Sequence, residues 1–224
     1  ETFLHEFGHS LHGLLANSKY ASLSGTNVYR DFVELPSQFN ENYLTEREFL
    51  DSFARHYQTG EAIPDELVNR LVRSQQYGAA YQCMRQLGFG YLDMAWHTIT
   101  EPVTDPVAFE SKAIETVRVF DDVDGTMISP QFSHIFAGGY AAGYYSYKWA
   151  EVLDADAFAF FKEKGIFNKE AANSFRKNVL SRGGTEHPAE LYRKFRGQDP
   201  TIDALLERDG IRKHDTTVAP LNKD

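Results

Sequence analysis

Glu1-Thr2-Phe3-Leu4-His5-Glu6-Phe7-Gly8-His9-Ser10-Leu11-His12-Gly13-Leu14-Leu15 opens the chain. Phe3, Leu4, Phe7, Leu11, Leu14 and Leu15 recur at three- and four-residue spacings, which predicts an amphipathic helix over residues 2–16. On it His5 and His9, four apart, lie on nearly one face, about 40° apart. Two imidazoles so placed can share one tetrahedral zinc ion, at nitrogen–metal distances of about 2.0–2.1 Å. Glu6 flanks the pair and reaches a water held by the metal rather than the metal itself. Gly8, being small, lets a second segment approach the helix closely. With 8 histidines and 32 acidic residues in 224, a His-acid-x-x-His pattern arises by chance roughly 0.04 times. The competing reading is an amphipathic helix with two solvent-facing histidines.

The third ligand decides the type of site. One zinc-protease class puts glycine three residues after the second histidine and a third histidine three further. Those positions hold His12 and Leu15, so that arrangement fails, and so does the reversed motif, because Glu6 directly follows the first histidine. A carboxylate from a later segment remains, giving a two-histidine, one-glutamate site with one open position. The segment Arg30-Asp31-Phe32-Val33-Glu34-Leu35-Pro36-Ser37-Gln38 supplies a candidate in Glu34. It lies far enough past His9 for a helix end, a loop and a return. On the residues alone Glu34 is the best of several acids, with an ordinary solvated glutamate as the alternative. Gln38 and Glu41 follow it by four and seven residues, share its face on a helix, and are candidates for hydrogen-bonding a ligand histidine.

A third constellation is His134-Ile135-Phe136-Ala137-Gly138-Gly139-Tyr140-Ala141-Ala142-Gly143-Tyr144-Tyr145-Ser146-Tyr147. Its glycines permit positive φ and a close wrap around a ligand. Tyr140, Tyr144 and Tyr147 fall on one face if the segment is helical throughout, and phenols aimed at one spot, with His134 beside them, can donate to an oxyanion. An aromatic stripe packed into a core is the alternative.

Elsewhere the periodicity is helical. Thr45 with Glu48 reads as a capping box opening a helix to about Tyr57. Residues 65–100 read as helical with a break at Tyr77-Gly78. Asp105-Pro106, Asn168 and Asp199-Pro200 read as helix starts. Strand character extends at most to 21–23 and 29–33, and the fold class is mainly α. The chain is 42% hydrophobic and 25% charged with net charge −9, which excludes a disordered linker and argues against a nucleic-acid partner. No stretch is apolar enough to span a membrane. The single cysteine, Cys83, forms no internal disulfide and is compatible with a reducing compartment. Residues 211–224 are polar and unperiodic and are expected to fray. Because it starts at Glu1, the chain reads as the later part of something longer.

Taken together, residues 1–9, Leu23-Ser24-Gly25-Thr26-Asn27, 30–38, 137–147 and Leu180-Ser181-Arg182-Gly183-Gly184 resemble the thimet-oligopeptidase family of zinc metallopeptidases. That family includes bacterial oligopeptidases and peptidyl-dipeptidases. The resemblance runs to about Ile211. It implies that residues 1–210 are the C-terminal portion of a larger, cleft-shaped catalytic domain, a helical zincin-type region. It implies one Zn2+ held by His5, His9 and Glu34, with Glu6 as catalytic base. Tyr140, Tyr147 and His134 are implied as donors to the tetrahedral intermediate, Tyr144 and Arg30 as substrate-binding residues. The function implied is zinc-dependent hydrolysis of short peptides in the cytoplasm, with the N-terminal part of the same enzyme as the other cleft wall. The alternative is an inactive fragment or a non-catalytic helical interaction module.

Overall fold

The computed structural model describes residues 1–212, so the tail from position 213 lies outside the described residues. Among the described residues twelve α-helices follow in order: α1 (Thr2–Leu14), α2 (Arg30–Val33), α3 (Leu35–Glu41), α4 (Arg47–Phe53), α5 (Asp65–Gln76), α6 (Ala79–His97), α7 (Pro106–Ala113), α8 (Ser133–Phe136), α9 (Tyr145–Lys164), α10 (Lys169–Phe175), α11 (Pro188–Arg196) and α12 (Asp203–Arg208). The mainly-α reading holds. Among the described residues the one β-bridge joins Arg55 and Ala62.

Several helix boundaries follow their sequence signals. The Asp105 carboxylate accepts from Ala108 N–H, and the Asn168 side chain accepts from the amides of Glu170 and Ala171. Gly78, at φ +71°, separates α5 from α6. Other expectations are corrected. The strand candidates at 21–23 and 29–33 are a 3₁₀ turn and α2. Adjacent Phe32 and Val33 are both buried, as neighbours on a helical turn packed into the protein can be. Thr45 forms no capping box: its hydroxyl donates to Asn42 O within a 3₁₀ turn, and α4 starts at Arg47. That helix stops at Phe53 rather than near Tyr57, because backbone bonds from His56 to Glu61 and from Ile63 to Ala54 close a loop there. Asp199 caps nothing, since Arg193 holds its carboxylate at 2.7 Å, and α12 begins only at Asp203. Ile211 and Arg212 are tied back to Leu206 O.

The main core lies among α2, α3, α9, α10 and α11. Phe39 is at its centre, stacked on Phe175 at 4.5 Å between ring centroids and edge-on to Phe158 and Phe161. A second cluster, Leu92, Phe132 and Ile135, joins α6 to the segment leading into the tyrosine loop. α3 is therefore clamped, with Phe39 and Leu35 in the core and its opposite side against α1. That contact is backbone to backbone at Gly8. A Cβ there would sit 2.5 Å from Ser37 Cα and closer still to Pro36 O.

Gly8→Ala is expected to force α1 from α3. Overpacking of this kind costs about 1–3 kcal/mol, more than the roughly 1 kcal/mol that alanine adds in helix propensity. Thermal unfolding of the full-length protein should show a lower Tm. An unchanged or higher Tm would show that the two helices separate freely.

Candidate metal centre and tyrosine loop

One turn of α1 sets the His5 and His9 rings edge to face, with centroids 5.0 Å apart. Glu34 stands between α2 and α3, where buried Phe32, Val33 and Leu35 fix the backbone and point its carboxylate back at α1. The Nε2 atoms of His5 and His9 lie 3.4 and 3.2 Å from Glu34 Oε2. One donor atom from each of the three residues falls within 4.8 Å of the others. Two imidazole nitrogens and a carboxylate oxygen, converging on a partly open face, form a donor set that suits zinc. The three residues fit that ion.

Neighbouring groups orient these side chains. Glu41 Oε1 is 2.5 Å from His5 Nδ1. Gln38 makes no such contact with a histidine: its amide donates to Tyr147 O at 3.3 Å and ties α3 to α9 instead. Ser37, which sequence reasoning missed, donates to Glu34 Oε2 at 3.0 Å. Its signal was position alone, three residues past Glu34. Tyr140 OH donates to Glu34 Oε1. His9 Nδ1 is buried and has no hydrogen-bond partner.

Burial by itself would push Glu34 up, but hydrogen bonds from His5, His9 and Tyr140 outweigh it and hold the carboxyl well below the usual carboxylate range. Hydrogen bonds to Glu34 and then Glu41 push His5 up to about 10. Burial, aided by the Tyr140 hydrogen bond, pushes Tyr147 well up; Tyr140 and Tyr144 are also raised, by burial first. All three phenols therefore keep their protons at neutral pH and can donate.

The tyrosines converge, although not as a helical stripe. Gly139 at φ +81° and Ala142 at φ +52° keep residues 137–143 out of a helix, and α9 begins only at Tyr145. Even so, Tyr140 stacks on Tyr147 at 4.9 Å, Tyr144 lies 5.2 Å from Tyr147, and His134 is within 5.9–6.3 Å of all three rings. Arg30 is exposed and lies over the Tyr140 ring at 4.7 Å, its side chain against Gly139 and Gly143. Glu6 is exposed on α1 beside the histidines. His134, Tyr144, Tyr147, Gln38 and Glu41 are among the residues that line a groove of about 1470 Å³. Asp93, also missed, lies buried behind the loop and accepts the amides of Ala142 and Tyr144. No periodicity marks it.

Residues 1–211 match peptidase family M3. The chain belongs to this family. Its motifs had indicated the same kinship. The M3 chain is 47% identical over 219 residues to oligopeptidase A of Escherichia coli, covering 94% of this chain and 32% of that protein. It is 42% identical to dipeptidyl carboxypeptidase of Escherichia coli, over 94% of this chain and 31% of that one. It is 33% identical to saccharolysin of Saccharomyces cerevisiae, again over 94% of this chain and 30% of the relative. The chain thus spans about a third of the length of the curated relatives it matches. Among the described residues no helix is long and apolar enough to cross a membrane.

Glu41→Gln removes the carboxylate facing His5 Nδ1 while keeping its size. Zinc affinity should fall by about 10–100-fold, read by chelator competition. An unchanged affinity would mean that His5 is oriented by the helix alone.

Proposed function

We propose that this M3 chain carries the catalytic centre of a zinc-dependent peptidase acting on short peptides. The observation that supports the reading most is the convergence of His5, His9 and Glu34 within 4.8 Å, set against a cluster of three protonated tyrosines. In this reading those three residues hold one Zn2+, which when bound supplies Lewis acidity toward the scissile carbonyl and toward an attacking water. Glu6, exposed beside the two histidines, accepts the water's proton and passes it to the departing amine. Such acid–base work is typically worth about 10²–10⁴ in rate.

Tyr147, Tyr140 and His134 face the same space and donate to the oxygen of the carbonyl under attack. Tyr140 hydrogen-bonds Glu34 at rest, so its part in this requires it to exchange partners. Tyr144 and Arg30 hold the substrate on either side of the loop. In this reading the peptide lies along the groove that Tyr147, Tyr144 and His134 line. Further polypeptide, of the kind the longer relatives carry, supplies the facing wall in this reading. The names of the relatives span both oligopeptidase and dipeptide-releasing carboxypeptidase, and the proposed chemistry serves either.

Quenched fluorescent peptides offered to the full-length protein test this reading. Cleavage abolished by a chelator and restored by zinc supports it; no cleavage of any peptide in a broad panel overturns it in favour of a non-catalytic helical module. Glu6→Gln should keep one zinc per chain and lose at least 10²-fold in kcat, whereas His5→Ala and Glu34→Ala should lose the metal. Substantial turnover by Glu6→Gln would remove Glu6 as the base.

Tyr147→Phe keeps the ring stack on Tyr140 and deletes one donor. kcat should fall by about 10²–10³ with KM within a few-fold. A raised KM at constant kcat would assign Tyr147 to substrate binding instead.

A further inference from the structure

We propose that Asp93 is a positioning residue for the tyrosine loop: its buried carboxylate, through backbone hydrogen bonds, sets where Tyr144 and Tyr147 stand. The proposal rests on the peptidase reading above for its link to rate, but not for its geometry. Asp93 lies on α6, which packs against α9, and is 0% exposed. Its Oδ2 accepts the Tyr144 N–H at 2.8 Å, and its Oδ1 accepts the Ala142 N–H at 2.9 Å. His97, one turn further along α6, places Nδ1 2.8 Å from Oδ1. A buried carboxylate is tolerable only when its oxygens are satisfied, and here both hydrogen bonds to it come from main-chain amides of the loop, while His97 Nδ1 is shared with the Asp93 carbonyl, also at 2.8 Å.

Those amides are the ones the loop has most need to place. Ala142, at φ +52°, is the one non-glycine residue with positive φ among the described residues, a conformation that L-residues resist. Tyr144 precedes the first turn of α9, where backbone N–H groups have no partner within the helix. Asp93 takes up both N–H groups and adds negative charge at the positive end of a 20-residue helix. Tyr147 lies in that first turn and Tyr140 stacks on it. The carboxylate therefore fixes the angle at which the donors reach the Glu34 site. Leu92 beside it, fully buried against Phe132 and Ile135, gives α6 a rigid seat.

The test uses the full-length protein carrying Asp93→Asn, Asp93→Glu, Tyr147→Phe and the double variant Asp93→Asn/Tyr147→Phe. Asparagine accepts through one oxygen and turns an amide N–H toward the other backbone donor. Asp93→Asn should keep its zinc and lose about 10–100-fold in kcat. Adding it to Tyr147→Phe should cost less than about threefold more, because Asp93 acts through that tyrosine. Asp93→Glu, which restores charge and acceptors, should recover part of the loss. Amide hydrogen exchange in residues 137–147 should quicken at least tenfold in Asp93→Asn, with α1 and α3 unchanged. A kcat within twofold of the parent, or losses that multiply fully with Tyr147→Phe, would overturn the positioning role. If Asp93→Asn loses zinc or fails to fold, Asp93→Glu and its double variant with Tyr147→Phe carry the same comparison. A parent that cleaves no peptide overturns the peptidase reading alone. Exchange then decides the anchor, and an unchanged rate in 137–147 overturns it.

Discussion

The spacing between α1 and α3 governs the rest of the site, and it is set where Gly8 meets the Pro36–Ser37 backbone. Helices normally keep their axes 8–10 Å apart because side chains stand between them. With no side chain at Gly8, the backbone of α3 comes directly against α1. Glu34, at the start of α3, then falls within reach of both imidazoles. One turn of ordinary helix separates the two histidines. The third group needs a tertiary contact, and the glycine makes that contact possible.

α3 works on two sides at once. Phe39 and Leu35 anchor it among the aromatic rings of α9 and α10, while Ser37, Gln38 and Glu41 hold Glu34's carboxylate, the α9 backbone and His5 respectively. A helix of seven residues has little stability alone, so its orientation comes from the core. The site accordingly depends on Phe39 packing as much as on the polar groups facing it.

Much of this was legible from residue order because the informative features are local. The His5–His9 spacing, the Asp105 and Asn168 caps and the break at Gly78 each depend on a few consecutive residues. What failed depended on distant partners. Asp199 looked like a cap until Arg193 claimed its carboxylate, and Thr45 looked like one until a 3₁₀ turn carried the chain past it. The stretch 29–33 looked extended until a helical turn carried Phe32 into the main core and buried Val33 next to it. Gln38 was placed on the correct face, but its partner is the Tyr147 carbonyl, 109 residues away. Asp93 and Ser37 carry no pattern that single-chain reading detects, since their roles exist only once two segments meet.

The electrostatics of Glu34 favour a cation at this spot on grounds independent of the motif. A carboxylate exposed by only 2% is costly unless positive charge or strong donors meet it. Ser37 and Tyr140 supply neutral donors, and the remaining demand falls on two imidazoles. With protein groups alone, that demand is met by drawing a proton onto His5, whose pKa rises to about 10 with Glu41 sharing the pull. Both histidines direct Nε2 at the same carboxylate oxygen, and two protonated rings 5.0 Å apart would repel each other. In the proposed reading a divalent ion would resolve the conflict, since it would meet two neutral imidazoles and one carboxylate and would leave Nδ1 of His5 to donate to Glu41. Because Tyr140 also bonds Glu34, a cation held by that carboxylate would change what the loop is tied to, which couples the proposed metal centre to the tyrosine donors.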